Sequence, residues 1–410
     1  MIKDRDIIIV GIQPWDIEIG SNCKNIALEF AKHNRVLYVN APLNWITRLK
    51  QKHKEKIKKR IDIAKGKRTD IELVEDNLWN LYPKTTIHSI NWMNSYTMFK
   101  TFNKSNAKKF ARDIKSAAQR LHFKDCLLFN DSSMFLGLHL KEYLNPEVYA
   151  YYIRDNLVKD PYWKKHGIHM EPRVMEAADV VVNNSEYYTA YSSKFNQNSF
   201  MVGQGCDVSM FNDVDGSIRK ADELKFLKRP IIGYVGTLTT LRLDVELLAF
   251  IARQRKDWTI VLVGPEDSTF KESILHKIEN IKFLGNKPMD TLPNYIKGFD
   301  VCINPQVLNE ITIGNYPRKI DEYLAMGKPI VATYTKAMEM FDTHVYLGRT
   351  KEEYIALIEK ALKEDTPEEI AKKRIEFANS HTWPNSVQNI YQAIEWAMRG
   401  KKMHHLTCKV

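Results

Sequence analysis

Arg318, Lys319 and Glu322 fall within five residues of one another in the segment Tyr316-Pro-Arg-Lys-Ile-Asp-Glu-Tyr-Leu-Ala-Met-Gly-Lys-Pro-Ile-Val-Ala-Thr333, and together they can do specific chemistry. Pro317 suits a first helical turn, where its missing N–H is not needed, and Gly327 ahead of Pro329 suits a helix end. The segment therefore predicts a helix with fixed ends running into a short apolar strand. First-turn N–H groups and the helix dipole favour an anion, and Arg318 and Lys319 add fixed positive charge beside them. Glu322, one turn further in, is able to accept two hydrogen bonds from a vicinal diol such as a ribose. Phosphate and ribose together point to a nucleotide. A plain surface pairing of Lys319 with Glu322 along the helix is the competing explanation.

A short apolar run, Asp6-Ile-Ile-Ile-Val-Gly11, leads through a polar loop into a helical pattern over 22–33 and the run Arg35-Val-Leu-Tyr-Val39. The same alternation returns at 126–129, 148–153, 179–183 with a helix over 185–194, and 199–203. Continuous apolar runs alternating with helices predict a parallel sheet covered on both faces. The chain turns polar over 204–229 and then starts again: strands at 230–236, 258–264, 281–284, 300–304 and 329–332, a helix over 241–255, and an all-helical tail after Tyr346 broken at Trp383-Pro384. Two domains are expected, 1–204 and 205–384, with a helix over 385–400 returning to the first. Ligands of such sheets bind beyond the carboxyl ends of the strands, so the loops after Val10, Val235, Val263 and Ile303 are expected to line a cleft.

The 410 residues exceed what one core usually supports, and 44% hydrophobic with 27% charged residues is ordinary for a globular protein. No apolar run approaches the length of a spanning helix, and the amino terminus lacks a signal-peptide layout, so a cytoplasmic protein is expected. Cys23, Cys126, Cys206, Cys302 and Cys408 are odd in number and widely spaced, which argues against a disulfide framework and against structural zinc. The net charge of +11 is concentrated: 48–68 holds eleven Lys or Arg against Glu55 and Asp62, and 100–124 holds eight against Asp113. Such segments attract anionic membrane surfaces as well as nucleic acid, and a solvated Lys-rich face is the plainer explanation.

Most of the chain, and specifically its second half, resembles the group 1, or family 4, retaining glycosyltransferases of GT-B fold. Gly233-Tyr-Val-Gly-Thr-Leu-Thr-Thr-Leu-Arg-Leu-Asp244 is similar to the family's glycine loop, with Arg242 in the place of the basic residue that meets the donor diphosphate. Val261-Leu-Val-Gly-Pro265, Ile281-Lys-Phe-Leu-Gly285 and Leu292 to Pro305 resemble further signatures. Glu176 to Ser185, Gly205-Cys-Asp207 and His381-Thr-Trp-Pro384 resemble the strand, linker and returning helix around them. Tyr-Pro-x-Lys-x-x-Glu-Tyr-Leu-Ala-x-Gly-Lys-Pro is closer to a branch that builds cell-surface polysaccharides, such as teichuronic acid glycosyltransferases. Two departures stand out. Gly314 occupies the place where many members carry a first glutamate, leaving Glu310 as the nearest acid, and Thr237 replaces an arginine.

The resemblance implies an α/β protein with two Rossmann-like doubly wound domains facing across a cleft and a C-terminal helix crossing back. It implies transfer of a sugar from a nucleotide diphosphate donor to a glycan or lipid-linked acceptor. Arg242 and Lys319 would stabilise the leaving diphosphate; Gly236, Thr237, Gly264, Asn315, Tyr316, Pro317 and Glu322 would complete the donor site. Asp155, just past a strand, is placed to meet an acceptor hydroxyl, unless it caps a helix. Gly20 would approach the cleft from the first domain, unless it is a simple turn glycine. No cofactor and no metal are expected, since fixed cations replace the ion: Asp213-Val-Asp215 sits in the polar linker, and His166 and His169 lack a third ligand. Partners are the donor, the acceptor and an anionic membrane reached through 48–68 and 100–124, with peripheral attachment to the inner face; no nucleic-acid partner is expected. The alternatives are a nucleotide-sugar epimerase of the same fold and a non-catalytic membrane- or nucleic-acid-binding scaffold.

Overall fold

The computed structural model describes residues 1–17, 21–213, 215–310, 312–365 and 367–407, with side chains through 401. It divides into two compact units, 1–205 with 383–410, and 206–382.

Unit 1 carries strands β1 (Asp6–Gly11), β2 (Arg35–Val39), β3 (Leu43–Asn44), β4 (Ile71–Glu75), β5 (Leu78–Leu81), β6 (Thr86–Ile87), β7 (Leu127–Asp131), β8 (Val148–Ile153), β9 (Val180–Asn183) and β10 (Ser199–Met201). Eight of them form one sheet in the order β10-β9-β8-β7-β1-β2-β5-β4; β3 and β6 form a separate short pair. Every neighbour in the large sheet is parallel except the edge strand β4, which is antiparallel to β5. The apolar runs of β1, β7, β8 and β9 are buried throughout, as helices on both faces require.

Unit 2 carries β11 (Ile231–Val235), β12 (Thr259–Val263), β13 (Ile281–Gly285), β14 (Val301–Asn304), β15 (Ile330–Thr333) and β16 (Tyr346–Gly348) in one parallel sheet ordered β13-β12-β11-β14-β15-β16. This is the doubly wound order in which strand direction of travel reverses beside the first strand. In unit 2 the reversal lies between β11 and β14; in unit 1 it lies between β1 and β7.

Helix Trp383–Thr407 belongs to unit 1. Val387, Ile390, Tyr391, Ile394 and Ala397 recur at helical spacing and are buried in the same core as Phe30, Phe129 and Tyr152. Tyr391 stacks on Phe30 at 5.2 Å, and its hydroxyl accepts from Asn34 Nδ2 at 2.9 Å. Lys401 Nζ donates to Asp179 Oδ2 at 2.8 Å further along. No helix among the described residues is long and apolar enough to cross a membrane.

Three elements differ from the sequence expectations. The edge hairpin β4–β5 was not predicted: Ile71-Glu-Leu-Val-Glu75 alternates charge with apolar residues, and the turn rests on Asn77 at φ +64. The chain after Tyr346 is not wholly helical: β16 runs through Gly348 on the sheet edge, and helix Lys351–Ala361 starts at the expected residue. The helix expected over 241–255 spans Val245–Gln254, because Asp244 caps it, accepting from Leu247 N at 2.9 Å.

Candidate functional site

At the reversal point of unit 2, the sheet opens. Pairing of β11 with β14 ends at Gly233 and Cys302, so Val235 has no ladder partner on that side. The buried phenol of Tyr323 takes its place, accepting from Val235 N at 2.8 Å and donating to Val235 O at 3.3 Å. That clamp ties helix Lys319–Ala325 to the strand end one residue before Gly236. The expected contiguity of helix and glycine loop is thus built by a residue outside the predicted set.

The chain leaves β11 through Gly236 at φ +145 and leaves β12 through Gly264 at φ +146, a region that suits glycine. A Cβ on Gly264 would lie 2.0 Å from the Gly236 carbonyl oxygen, and one on Gly236 would lie 3.2 Å from Lys319 Cε. Bare backbone and a cation therefore meet at the head of the sheet. Lys319 Nζ stands 5.1 Å from the Tyr234 ring centroid, an arrangement that fixes its direction. Gly233, within β11, has a packing reason instead, since any side chain there would enter the Phe299 ring.

The helix closes as its sequence predicts. Gly327, at φ +66, donates to Leu324 O at 2.8 Å and Lys328 N donates to Tyr323 O at 3.1 Å, the paired bonds of a Schellman ending. Its start lies later than Tyr316: regular helix begins at Lys319, with Ile320 N donating to Pro317 O at 2.9 Å. The Tyr316 side chain turns inward. Its hydroxyl donates to Asp321 Oδ2 at 2.8 Å, and His381 Nδ1 lies 2.8 Å from Asp321 Oδ1. Tyr316 is buried, so its phenol braces the site from behind.

Glu322 is partly exposed; its N–H donates to Arg318 O at 3.2 Å, but its carboxylate forms no hydrogen bond or ion pair among the described residues. Burial raises its pKa above the usual glutamate value, against the opposing pull of Lys319 and then Arg318. It is a desolvated acceptor without a donor. Asn315 and Pro317 stand just ahead of the helix, with Asn315 N donating to Thr312 O at 2.9 Å.

The loop 236–244 carries Thr237 and Arg242, both exposed. It is held by its neighbours: Val307 N donates to Arg242 O at 2.9 Å, Asn309 Nδ2 donates to Leu241 O at 3.0 Å, and Leu243 pairs with Gln306. The Arg242 guanidinium has no partner among the described residues and extends from a turn rather than from a helix face. Glu310 is exposed on the same 305–316 loop, and Gly314 is buried there.

Residues 229–378, most of unit 2, match the family described as Glycosyl transferases group 1. Unit 2 is a group 1 glycosyl transferase domain. The chain is similar to a protein named as a teichuronic acid biosynthesis glycosyltransferase, TuaH of Bacillus subtilis (strain 168), at 25% identity over 228 residues, 52% of this chain and 56% of that protein. It thus spans about half the length of the curated relative it matches. Among solved structures it resembles HepE of Anabaena in complex with UDP (TM-score 0.67, 13% identity, 95% of this chain and 99% of that one). It also resembles sucrose-phosphate synthase from Thermosynechococcus elongatus (TM-score 0.65, 14% identity, 97% and 100%). At these identities the likeness establishes the fold, which is GT-B.

Outside the transferase domain, the reversal point of unit 1 gathers different chemistry. Arg154 is partly buried and pairs with buried Asp131, Nε to Oδ1 at 2.9 Å and Nη2 to Oδ2 at 3.4 Å, while its Nη1 donates to Asp155 at 2.9 Å. Asp155 therefore sits at the end of β8 as an ion-pair partner and not as a helix cap; Asp160 caps helix Pro161–Ala177. Asp131 and Arg154 are not among the residues expected from the sequence, although each stands at the end of an apolar run, Asp131 one residue on and Arg154 directly. Buried Asn22 and Asn184 both donate to Gln204 Oε1, at 3.0 and 2.9 Å. Gly20 lies outside the described residues. Asp213 pairs with Lys297 and accepts from Ile218 N, Asp215 accepts from Ser217 N, and His166 stacks on Phe99 at 3.8 Å with Nε2 against Met93 O. Each of these three positions has a structural occupation; no cluster of metal-ligating side chains occurs among the described residues.

Proposed function

We propose that the protein moves a sugar, with retention of anomeric configuration, from a nucleoside diphosphate donor to a glycan or lipid-linked acceptor in cell-surface polysaccharide synthesis. The observation that carries this reading is the placement of Lys319 against side-chain-free Gly236, with unpartnered Glu322 one turn further along the same helix. Backbone N–H groups and Lys319 would hold the diphosphate, Glu322 would accept from the ribose diol, and Arg242 would reach in from its loop. Departure of the diphosphate places negative charge where these fixed cations stand, so they lower the barrier more than they tighten ground-state binding. In same-face displacement the leaving phosphate itself guides the incoming hydroxyl, and no enzyme nucleophile is required. Asp155 is assigned to the acceptor side and would orient that hydroxyl.

HepE binds UDP, and its complexes with glucose and UDP-glucose belong to the same fold. A uridine nucleotide is accordingly the first donor to test. Calorimetry with UDP, GDP and ADP should single out one nucleotide, and EDTA should leave its binding unchanged, because the site uses protein cations in place of a metal. Turnover with the matching nucleotide sugar, followed by NMR of the anomeric proton in the product, tests retention. Absence of binding by every nucleotide would end the proposal.

A further inference from the structure

One side of unit 1 exposes large apolar residues that the proposed chemistry does not use. Helix Trp45–Lys50 presents Trp45, Ile46 and Leu49 to solvent, Leu49 at 68%, and Trp92 is 67% exposed; Met98, Phe102 and Tyr162 are also exposed. Scattered exposed hydrophobics are ordinary, but these belong to one contiguous construction. The β3–β6 pair carries helix 45–50 at one end, and Arg48 Nη1 bridges to Thr86 Oγ1 at 3.0 Å. The segment around β6 runs beside helix Tyr96–Arg120: Thr85 N donates to Asp113, His88 N to Asn106 Oδ1 at 3.0 Å, and the His88 ring meets Phe102 edge-on. Asn91 Nδ2 donates to Tyr162 O, which brings Trp92 and Tyr162 to the same side.

Positive charge accompanies this apolar side. Lys50, Lys52 and Lys54 follow Leu49 directly. On helix 96–120, residues 98, 102, 105, 109 and 112 share one stripe by helical spacing, so Met98 and Phe102 lead into Lys109 and Arg112. Lys108, Lys109, Arg112 and Lys115 line a shallow groove to which no carboxylate contributes. Between the apolar residues opens a cavity of about 200 Å³, lined by Asn44, Ile87, Phe99, Asn103, Phe135 and Trp163 among others. Its wall residues alternate in sequence with the exposed ones: Asn44 with Trp45, Phe99 with Met98, Asn103 with Phe102.

We propose that this side of unit 1 docks on an anionic lipid bilayer, with Trp45, Leu49, Trp92 and Met98 seated in the headgroup region and the lysine-rich rim against lipid phosphates. Tryptophan and leucine flanked by lysine is the composition of interfacial helices. A nucleic acid would use the cations and leave the apolar residues in water, and a second copy of the chain would bring like charges together. The cavity then opens toward the membrane and suits an acceptor carried on lipid, a consequence that rests on the transferase reading; the docking itself does not.

The test is co-sedimentation of the full chain, without nucleotide, with vesicles of phosphatidylcholine alone and of equal parts phosphatidylcholine and phosphatidylglycerol. Association is expected with the anionic vesicles, weaker by about tenfold or more on neutral ones and lowered by salt. Brominated acyl chains should quench tryptophan fluorescence, and Trp45→Ser with Trp92→Ser should remove most of that quenching. Leu49→Ser and the pair Lys109→Gln with Arg112→Gln should each weaken sedimentation while far-UV circular dichroism is unchanged. Should a variant fail to fold, the salt dependence and quenching of the unaltered protein decide. Lack of sedimentation with anionic vesicles, equal sedimentation with both kinds, or a dimer in solution that Leu49→Ser dissociates would overturn the proposal.

Discussion

The reversal point of unit 1 and that of unit 2 share a strand order and differ in what happens to charge. In unit 1, the arginine at the end of β8 is enclosed by two aspartates, one of them wholly buried, so the local charge is cancelled inside the fold. In unit 2, Lys319 and Arg242 have no carboxylate partner among the described residues, Glu322 has no donor, and two glycines keep the backbone bare. The doubly wound sheet supplies a crevice in both units. Only the second leaves cations and a desolvated carboxylate for a ligand to satisfy, and a diphosphate joined to a ribose has the matching groups.

This difference can be broken by mutation. The largest effect is expected from Asp131→Ala, which takes the buried carboxylate from the Arg154 guanidinium and leaves it only the partly exposed Asp155 as partner; it should cost unit 1 about 3–5 kcal/mol of stability, read by denaturant unfolding, while nucleotide binding by folded protein is retained. Lys319→Ala should leave the fold intact and slow sugar transfer about 10²–10³-fold, with a smaller change in donor affinity, measured as kcat and KM. Glu322→Gln should weaken donor binding by about 1.5–3 kcal/mol in calorimetry, and a 2′-deoxy donor should lose little further affinity in that variant.

The smallest effect concerns pH. Burial holds the Glu322 carboxyl above its usual pKa, so the acceptor form is lost earlier on acidification than for an exposed glutamate. Donor affinity should therefore decline as pH falls toward the usual glutamate range, and Glu322→Gln should flatten that decline. An unchanged slope in the variant would move the ribose contact to another residue.

Much of unit 2 was legible because its signals are local. Gly327 marks the end of a short helix through a property of a single residue, whereas Pro317, expected in its first turn, stands ahead of the Arg318 cap; the continuous apolar runs mark parallel strands because both faces are covered. The edge strands β4 and β16 were not legible: one alternates charge and the other is three residues long, and each is a strand only because a sheet edge lies beside it. Arg242 was read from motif spacing alone, and the loop that presents it is shaped by Asp244 capping the next helix. Asp131 and Arg154 meet through non-adjacent segments 23 residues apart, a pairing that no local pattern encodes.

The sequence by itself determined the alternation of strands and helices, the glycine exits from β11 and β12 of unit 2, and the excess of positive charge in two segments of unit 1. These follow from backbone preference and side-chain type, which act over a few residues. Tertiary structure decided which polar groups are satisfied. It buried the Tyr316 phenol against Asp321, used Tyr323 to close the split between β11 and β14, and left Glu322 and Lys319 open. Whether a charged group is neutralised or available depends on neighbours distant in the chain, because electrostatic partners are set by distance in space and by exclusion of water.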